Sequence, residues 1–223
     1  MPHHSLNAVY RQLLATFGPQ HWWPGESPFE VIVGAVLTQN TSWTNVERAI
    51  RNLREADLLE PQSLAEAPAE ELEELIRPAG YFRVKAQRLR SLLLWLMDRY
   101  EGSLDAMFAT PLPELREQLL AVRGIGPETA DSILLYAGGL PSFVVDAYTH
   151  RVFSRHGWID FDADYPQIQD YVQTELPQDA PTYNEFHALL VRLGKDFCRK
   201  SNPKCESCPL RAMLPQGGPL EPE

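Results

Sequence analysis

Apolar residues recur at helical spacing along nearly the whole chain, and no segment alternates convincingly like a half-buried strand. Proline stands at or near the first turn of several of these segments, where its missing N–H costs nothing. We therefore predict an all-α fold with short connections. The predicted helices cover residues 5–17, 28–38, 41–56, 68–77, 83–100, 113–122, 127–137, 147–156, 165–175 and 182–197.

The charge of the chain restricts what it can bind. The formal net charge of −10 argues against a protein that coats nucleic acid indiscriminately, because such affinity depends on lysine and arginine. The charge is unevenly distributed, since residues 55–75 carry eight acids and no base, whereas residues 77–99 carry six bases and one acid. The acidic run predicts a solvated helix face. The basic run fits a solvated face or a nucleic-acid contact equally well.

No uninterrupted apolar run reaches the roughly 18 residues of a membrane span, and the first residues lack the pattern of a signal peptide. We expect an intracellular protein without a membrane partner. Three cysteines lie close together between Cys198 and Cys208. They are too few for a paired disulfide framework, and their spacing favours a metal or cluster site in a reducing compartment.

The segment RGIGPETADSIL places two glycines, Gly124 and Gly126, on either side of Ile125. We expect positive φ at both glycines and a buried Ile125 that anchors the turn between two helices. Such a turn at a helix N-terminus directs N–H groups toward a phosphate oxygen, although an ordinary helix–helix turn has a similar sequence.

Asp146 follows the apolar run GGLPSFVV at the predicted start of a helix. Aspartate is a favoured N-cap residue, so a structural role is one interpretation. A functional role is compatible with it, because a carboxylate at a helix N-terminus stays ionised and is suited to face a developing cation.

Together these segments resemble a known family. VRGIGPETADSILLYA and GGLPSFVVDAYTHRV are similar to the helix-hairpin-helix, Gly/Pro-rich loop and aspartate signature of base-excision DNA glycosylases. With EVIVGAVLTQNTSW and CRKSNPKCESC, the chain resembles the endonuclease III group over residues 20 to 210. The resemblance implies two helical domains that flank a DNA-binding cleft. One is a six-helix barrel with the hairpin, at residues 29–139, and the other combines residues 1–28 and 140–223.

The resemblance also implies roles for single residues. It makes Asp146 the catalytic aspartate and Gln39 the glutamine that fills the gap left by a flipped base. It implies that double-stranded DNA with damaged bases is the partner of a monomeric, cytoplasmic, nucleoid-associated protein. The residues implied to contact DNA are Gln39, Gly124, Ile125, Gly126, Arg199, Lys200 and Lys204.

Bifunctional members of the family carry a lysine in the second helix of the hairpin, and this lysine forms a Schiff base with the sugar. Here that position is Glu128. A carboxylate cannot form an imine, so we expect a monofunctional enzyme in which water completes the displacement. The alternative is that another lysine or the N-terminal amine replaces the missing one.

Aromatic residues near the first helices suggest a pocket for the flipped base, which needs aromatic faces to receive it. The candidates are Trp22, Trp23, Pro24 and Trp43. Packing in the core is the alternative interpretation. WWP, GAVLTQNT and RPAGYFRVKAQRL resemble the 3-methyladenine branch of the family. A methylated purine is cationic and favoured by electron-rich rings, so we expect alkylated purines, with uracil, mismatched thymine or oxidised pyrimidines as alternatives.

Cys198, Cys205 and Cys208 have the spacing of the family's [4Fe-4S] site, whose fourth cysteine would fall on Leu214. An alkyl side chain cannot bind iron. The alternatives are a cluster with another fourth ligand, a three-iron form, a zinc site or an empty relic. We expect a bound [4Fe-4S] cluster with three cysteine ligands.

Two other functions compete with this prediction. One is an endonuclease III-type glycosylase and AP lyase for oxidised pyrimidines. The other is a helix-hairpin-helix module that binds DNA lesions without cutting, which would have no need for Asp146, Gln39 and an aromatic pocket together.

Overall fold

The computed structural model describes residues 5–222, and this part of the chain contains helices and no strand. The predicted all-α fold is confirmed. The twelve α-helices are α1 (Leu6–Phe17), α2 (Pro28–Leu37), α3 (Trp43–Glu55), α4 (Pro61–Glu66), α5 (Ala69–Leu75), α6 (Phe82–Tyr100), α7 (Leu104–Phe108), α8 (Leu112–Ala121), α9 (Pro127–Ser132), α10 (Ala147–Arg155), α11 (Tyr165–Glu175) and α12 (Ala180–Asp196). Short 3₁₀ helices cover Arg77–Ala79, Cys205–Ser207 and Arg211–Met213.

The structure corrects several predicted helices. Helices α4 and α7 were missed because six and five residues are too few to display a helical period. The predicted helix at 127–137 is α9 followed by a π-helical segment at Ile133–Ala137. The predicted helix at 68–77 stops at Leu75, two residues before Arg77, and a residue that precedes a proline disfavours the α conformation.

Contacts between Cα atoms divide the chain into two compact units, Trp23–Leu140 and Met1–Trp22 with Pro141–Glu223. We call them the central unit and the terminal unit. The sequence-based boundaries of the functional domains, 29–139 and 1–28 with 140–223, stay a prediction. None of the helices within residues 5–222 has the length and apolar character needed to cross a membrane.

The central unit is built around α2. Every residue of this helix from Phe29 to Leu37 is buried, which is typical of a helix that is surrounded by others. Its neighbours include α3, α6, α9 and the π-helical segment. Gln39 therefore follows directly after a helix that is held in place by packing on all sides.

The hairpin of α8 and α9 is held together by buried groups. Arg116 of α8 donates two hydrogen bonds to Asp131 of α9, with Nε 2.8 Å from Oδ1 and Nη2 3.0 Å from Oδ2. Asp131 is fully buried. Ile125, in the loop between the helices, is 5% exposed, and its predicted anchoring position is confirmed.

The terminal unit contains α1, α10, α11 and α12. Helices α10 and α12 approach closely because Gly194 has no side chain. A Cβ atom at Gly194 would lie 2.4 Å from Cδ1 of Tyr148 on α10. This close packing places the start of α10, where Asp146 lies, beside the middle of α12.

Candidate active site

Asp146 is the N-cap of α10, and both of its carboxylate oxygens have defined surroundings. Oδ1 accepts hydrogen bonds from the backbone N and the Oγ1 of Thr149, at 2.8 and 3.0 Å. Oδ2 lies 3.5 Å from Nε2 of His187 on α12. The side chain is 13% exposed. The carboxylate is thus fixed in orientation through one oxygen while the other faces a histidine.

The surroundings of Asp146 keep it ionised. Burial raises the pKa of its carboxyl, but the interactions with His187 and the hydrogen bonds from Thr149 act in the opposite direction and outweigh it. The net result is a pKa below the usual value of 3.8. At neutral pH the carboxylate carries a full negative charge.

Sequence reasoning missed His187. It lies on the buried face of α12, with neighbours such as Tyr183 and Phe186, and its side chain is 7% exposed. Its ring also makes an edge contact with Phe143, at a centroid distance of 6.2 Å. A histidine within an apolar stripe carries no local signal, and only the packing of α10 on α12 brings it to Asp146.

The two glycines of the hairpin loop differ, and the prediction for one of them was wrong. Gly124 has a φ of 91°, as predicted. Gly126 has a φ of −94° and is the extended N-cap of α9, because the chain is already turning into the helix at that residue. A Cβ atom at Gly126 would meet no atom within 4 Å. The folded chain alone therefore does not require glycine at that position.

Glu128 lies in the first turn of α9 and is exposed. An acid in this position interacts favourably with the helix dipole. Its backbone carbonyl accepts a hydrogen bond from Ser132 Oγ at 2.7 Å.

Gln39 is bound to the hairpin by its side-chain amide. Nε2 donates to Thr129 Oγ1 at 2.8 Å and to the Gly124 carbonyl at 3.3 Å. Oε1 accepts a hydrogen bond from Arg88 of α6. In this conformation three hydrogen bonds hold the side chain of Gln39 against the hairpin and α6.

Two of the four predicted pocket residues come together in the central unit. Trp23 makes an edge contact with Trp43, with centroids 5.1 Å apart, and lies 5.2 Å from the ring of Tyr136 in the π-helical segment. We call these three half-buried rings the aromatic cluster. Gly34 on α2 makes room for it, since a Cβ there would lie 3.3 Å from Trp23. Tyr136 was not predicted from the sequence.

Trp22 and Pro24 are placed differently. Trp22 belongs to the terminal unit, where Lys195 Nζ lies 5.9 Å from its ring centroid. Pro24 is exposed in the central unit. The structure thus brings Trp23 and Trp43 into one group.

The cysteine loop, residues 198–214, is fastened to α10 by two arginines. Arg151 donates to the Cys198 carbonyl at 2.7 Å, and Arg155 donates to the Arg199 carbonyl at 2.7 Å. Arg155 also lies 3.7 Å from Cys198 Sγ. The three bases predicted to contact DNA, Arg199, Lys200 and Lys204, are all exposed.

Cys198, Cys205 and Cys208 line one small cavity, and Leu214 lines it too. The cavity volume is about 10 Å³, close to the minimum for a single water molecule. Burial raises the pKa of the thiols of Cys205 and Cys208. Within residues 5–222, no three His, Cys, Asp or Glu side chains are arranged to hold a metal ion.

This set of side chains does not fit a four-thiolate [4Fe-4S] site, which needs a cysteine where Leu214 stands. The cluster with three cysteine ligands stays a prediction.

Comparisons with known proteins agree with the fold and the motifs. The family model of the HhH-GPD superfamily base excision DNA repair proteins matches residues 33–178. A Methanocaldococcus jannaschii protein with the provisional name DNA repair glycosylase MJ1434 is 48% identical over 205 residues, which cover 91% of this chain and 92% of that protein.

Solved structures are similar over most of the chain. A non-covalent endonuclease III–DNA complex superposes with a TM-score of 0.80 at 25% identity and covers 95% of this chain and 94% of that chain. The H. pylori 3-methyladenine DNA glycosylase bound to 1,N6-ethenoadenine has a TM-score of 0.74 at 30% identity. That match covers 84% of this chain and 95% of the other.

The chain therefore belongs to the HhH-GPD superfamily of base excision DNA repair proteins. Within it, the protein is a DNA glycosylase, and the resemblance inferred from the hairpin and aspartate motifs is confirmed.

Proposed function

We propose that this glycosylase hydrolyses the N-glycosidic bond of flipped alkylated purines, such as 3-methyladenine, in double-stranded DNA, and that it has no AP lyase step. One observation carries the proposal. The hairpin position at which bifunctional relatives have a lysine holds an exposed carboxylate, Glu128.

Asp146 supplies the negative charge that this reaction needs. As the bond between C1′ and the purine nitrogen breaks, its electron pair leaves with the base and neutralises the base's positive charge. The sugar becomes oxocarbenium-like, and the ionised carboxylate stabilises it only as this charge develops. Water then attacks C1′ and transfers a proton to the carboxylate of Asp146. A carboxylate is a weak base, but it can accept this proton because water becomes acidic as it bonds to the cationic sugar.

The burial of one other lysine, Lys85, supports the same proposal. The chain has four, Lys85, Lys195, Lys200 and Lys204. Lys85 is 1% exposed and donates to the carbonyls of Leu37 and Ala79, so it is not available as a nucleophile. Lys195 lies over the ring of Trp22 in the terminal unit.

The preference for alkylated purines is supported by the aromatic cluster. Its electron-rich faces favour a cationic base by about 0.5–2 kcal/mol over a neutral one of the same shape. A second support is the similarity to a 3-methyladenine glycosylase whose structure holds a modified adenine.

DNA contact is proposed at the hairpin loop and the cysteine loop. Neither the φ nor the packing of Gly126 requires a glycine in the folded chain. A glycine at this position does, however, leave the N-terminus of α9 open to the close approach of a phosphate. Arg199, Lys200 and Lys204 would neutralise further phosphates, and Gln39 would leave its bonds with the hairpin to fill the gap in the duplex.

The test is a base-release screen on duplexes with alkylated, deaminated or oxidised bases, under single-turnover conditions. We expect release of 3-methyladenine by the parent and about 10²–10³-fold slower release by Asp146→Asn. Asp164→Asn is the matched control, since Asp164 is the N-cap of α11 and lies outside the site. It should release base at the parental rate.

Borohydride trapping on an abasic duplex tests the second half of the proposal, and we expect no covalent adduct. An adduct together with release of oxidised pyrimidines would instead establish an endonuclease III-type lyase. If parent and Asp146→Asn both bind lesions and neither releases a base, the protein is a binding module.

A further inference from the structure

A groove with a volume of about 410 Å³ lies in the central unit between α6 and the hairpin loop. Val84, Gln87, Arg88 and Ser91 line one wall. Their spacing of three, four and seven residues puts them on one face of α6. The opposite wall is the start of the hairpin loop, at Arg123 and Gly124. We call this feature the arginine groove.

The arginine groove is positively charged in a protein whose net charge is −10. Arg88, Arg90 and Arg123 all line it, and no acid is among its lining residues. Arg123 is exposed. A concave surface with charge of one sign concentrates counter-ions, and the planar guanidinium group matches the oxygens of a phosphate.

Arg88 connects this groove to Gln39. Its Nη1 donates to Oε1 of Gln39, while its aliphatic stem lies across Gly124. A Cβ atom at Gly124 would be 2.4 Å from Arg88 Cγ, so the glycine is needed for this contact as well as for its positive φ. One guanidinium group therefore faces the groove and also holds Gln39 against the hairpin.

We propose that the arginine groove binds a backbone phosphate of double-stranded DNA and that Arg88 couples this binding to the release of Gln39. A phosphate oxygen competes with Oε1 of Gln39 for the guanidinium group, because a charged acceptor binds it more strongly than an amide oxygen. The side chain of Gln39 is then free to leave the hairpin only where DNA is present. The coupling rests on the proposed function of Gln39, whereas the phosphate site does not.

The phosphate site is tested by the salt dependence of binding to an undamaged duplex, which involves no base release. Affinity falls as salt rises, so the slope of log affinity against log salt is negative. Arg123→Gln should reduce the magnitude of this slope by about 1, the value for one lost phosphate contact. Arg99→Gln is the matched control, because Arg99 is an exposed arginine of α6 that does not line the groove. Its slope should equal that of the parent.

A second variant, Gln87→Glu, adds an acid inside the groove without removing an existing contact. It should weaken duplex binding, and thermal unfolding should show that it is folded. Equal slopes for Arg123→Gln, Arg99→Gln and the parent would overturn the site, even if base release is normal. Saturable binding of inorganic phosphate alone, with the slopes unchanged, would assign the groove to a small anion instead of DNA.

The coupling is tested by two double-mutant cycles on duplex affinity. Arg88→Gln and Gln39→Ala should be non-additive, since each removes the same hydrogen bond. Arg123→Gln and Gln39→Ala should be additive. Additive effects for the Arg88 and Gln39 pair would show that the groove and Gln39 act independently.

Discussion

The hairpin and the cysteine loop each depart from the family pattern at one residue, and the two departures differ in kind. In the hairpin the departure is Glu128, an exposed side chain, while the frame depends on the buried pair of Arg116 and Asp131. In the cysteine loop the departure is Leu214, which lines the same cavity as the three thiols. The first changes an exposed side chain and leaves the buried Arg116–Asp131 pair in place, whereas the second puts an alkyl side chain into the cavity that the three cysteines line.

The largest expected effect concerns the frame of the hairpin. Arg116→Met leaves the fully buried carboxylate of Asp131 without its bidentate partner, and loss of one member of such a pair costs about 3–5 kcal/mol. Urea unfolding should show a loss of this size. Arg99→Met, on an exposed position of α6, is the control and should change stability by less than about 0.5 kcal/mol. A small effect of Arg116→Met would mean that the hairpin has another support.

Leu214→Cys tests the departure in the cysteine loop. After anaerobic expression, the variant should retain more iron than the parent, because it restores the fourth thiol among the residues that line the cavity. Without iron it should be less stable by about 1–2 kcal/mol, because one sulfur replaces three apolar carbons of a half-buried side chain. Iron analysis and urea unfolding measure the two effects. Equal iron in both proteins would show that the fourth position does not limit cluster binding.

Glu128→Lys should have a smaller effect on stability. A base in the first turn of α9 opposes the helix dipole and should cost about 0.3–1 kcal/mol. The same variant should form a borohydride-trapped adduct with abasic DNA that the parent does not form. A loss of more than about 2 kcal/mol would show that Glu128 stabilises the hairpin itself. The contrast between an exposed departure at Glu128 and a cavity-lining one at Leu214 would then not hold.

The sequence predicts features that depend on local signals, and it does not predict contacts that arise only from the packing of distant segments. Periodicity and proline positions predict the long helices, and Ile125 between two glycines predicts the anchored loop. The pairing of Asp146 with His187 escapes prediction, because the two residues are brought together by the packing of α10 against α12 over Gly194. Helical periodicity also gives no warning that residues 133–137 are π-helical and place Tyr136 beside Trp23.

Gly126 was predicted wrongly for a related reason. A glycine next to a turn suggests positive φ, but here it is the extended N-cap that precedes Pro127. Sequence alone does not separate a glycine required by its backbone conformation from one that leaves space for a ligand.

The smallest expected effect is the pH dependence of stability that Asp146 causes. In contrast to positions 128 and 214, the terminal unit here keeps the residue that the family pattern predicts, and its side chain is largely buried. The pKa of this carboxyl is below its usual value of 3.8 in the folded protein. Its contribution to stability is therefore fully present above the pKa of the unfolded chain, and it is lost as the pH falls through the folded pKa. Urea unfolding of the parent and Asp146→Asn, from about pH 6 to about pH 3, should show the stability difference between them shifting in favour of the variant as the pH falls. A difference that does not vary with pH would mean that His187 and Thr149 do no more than offset the burial of the carboxylate.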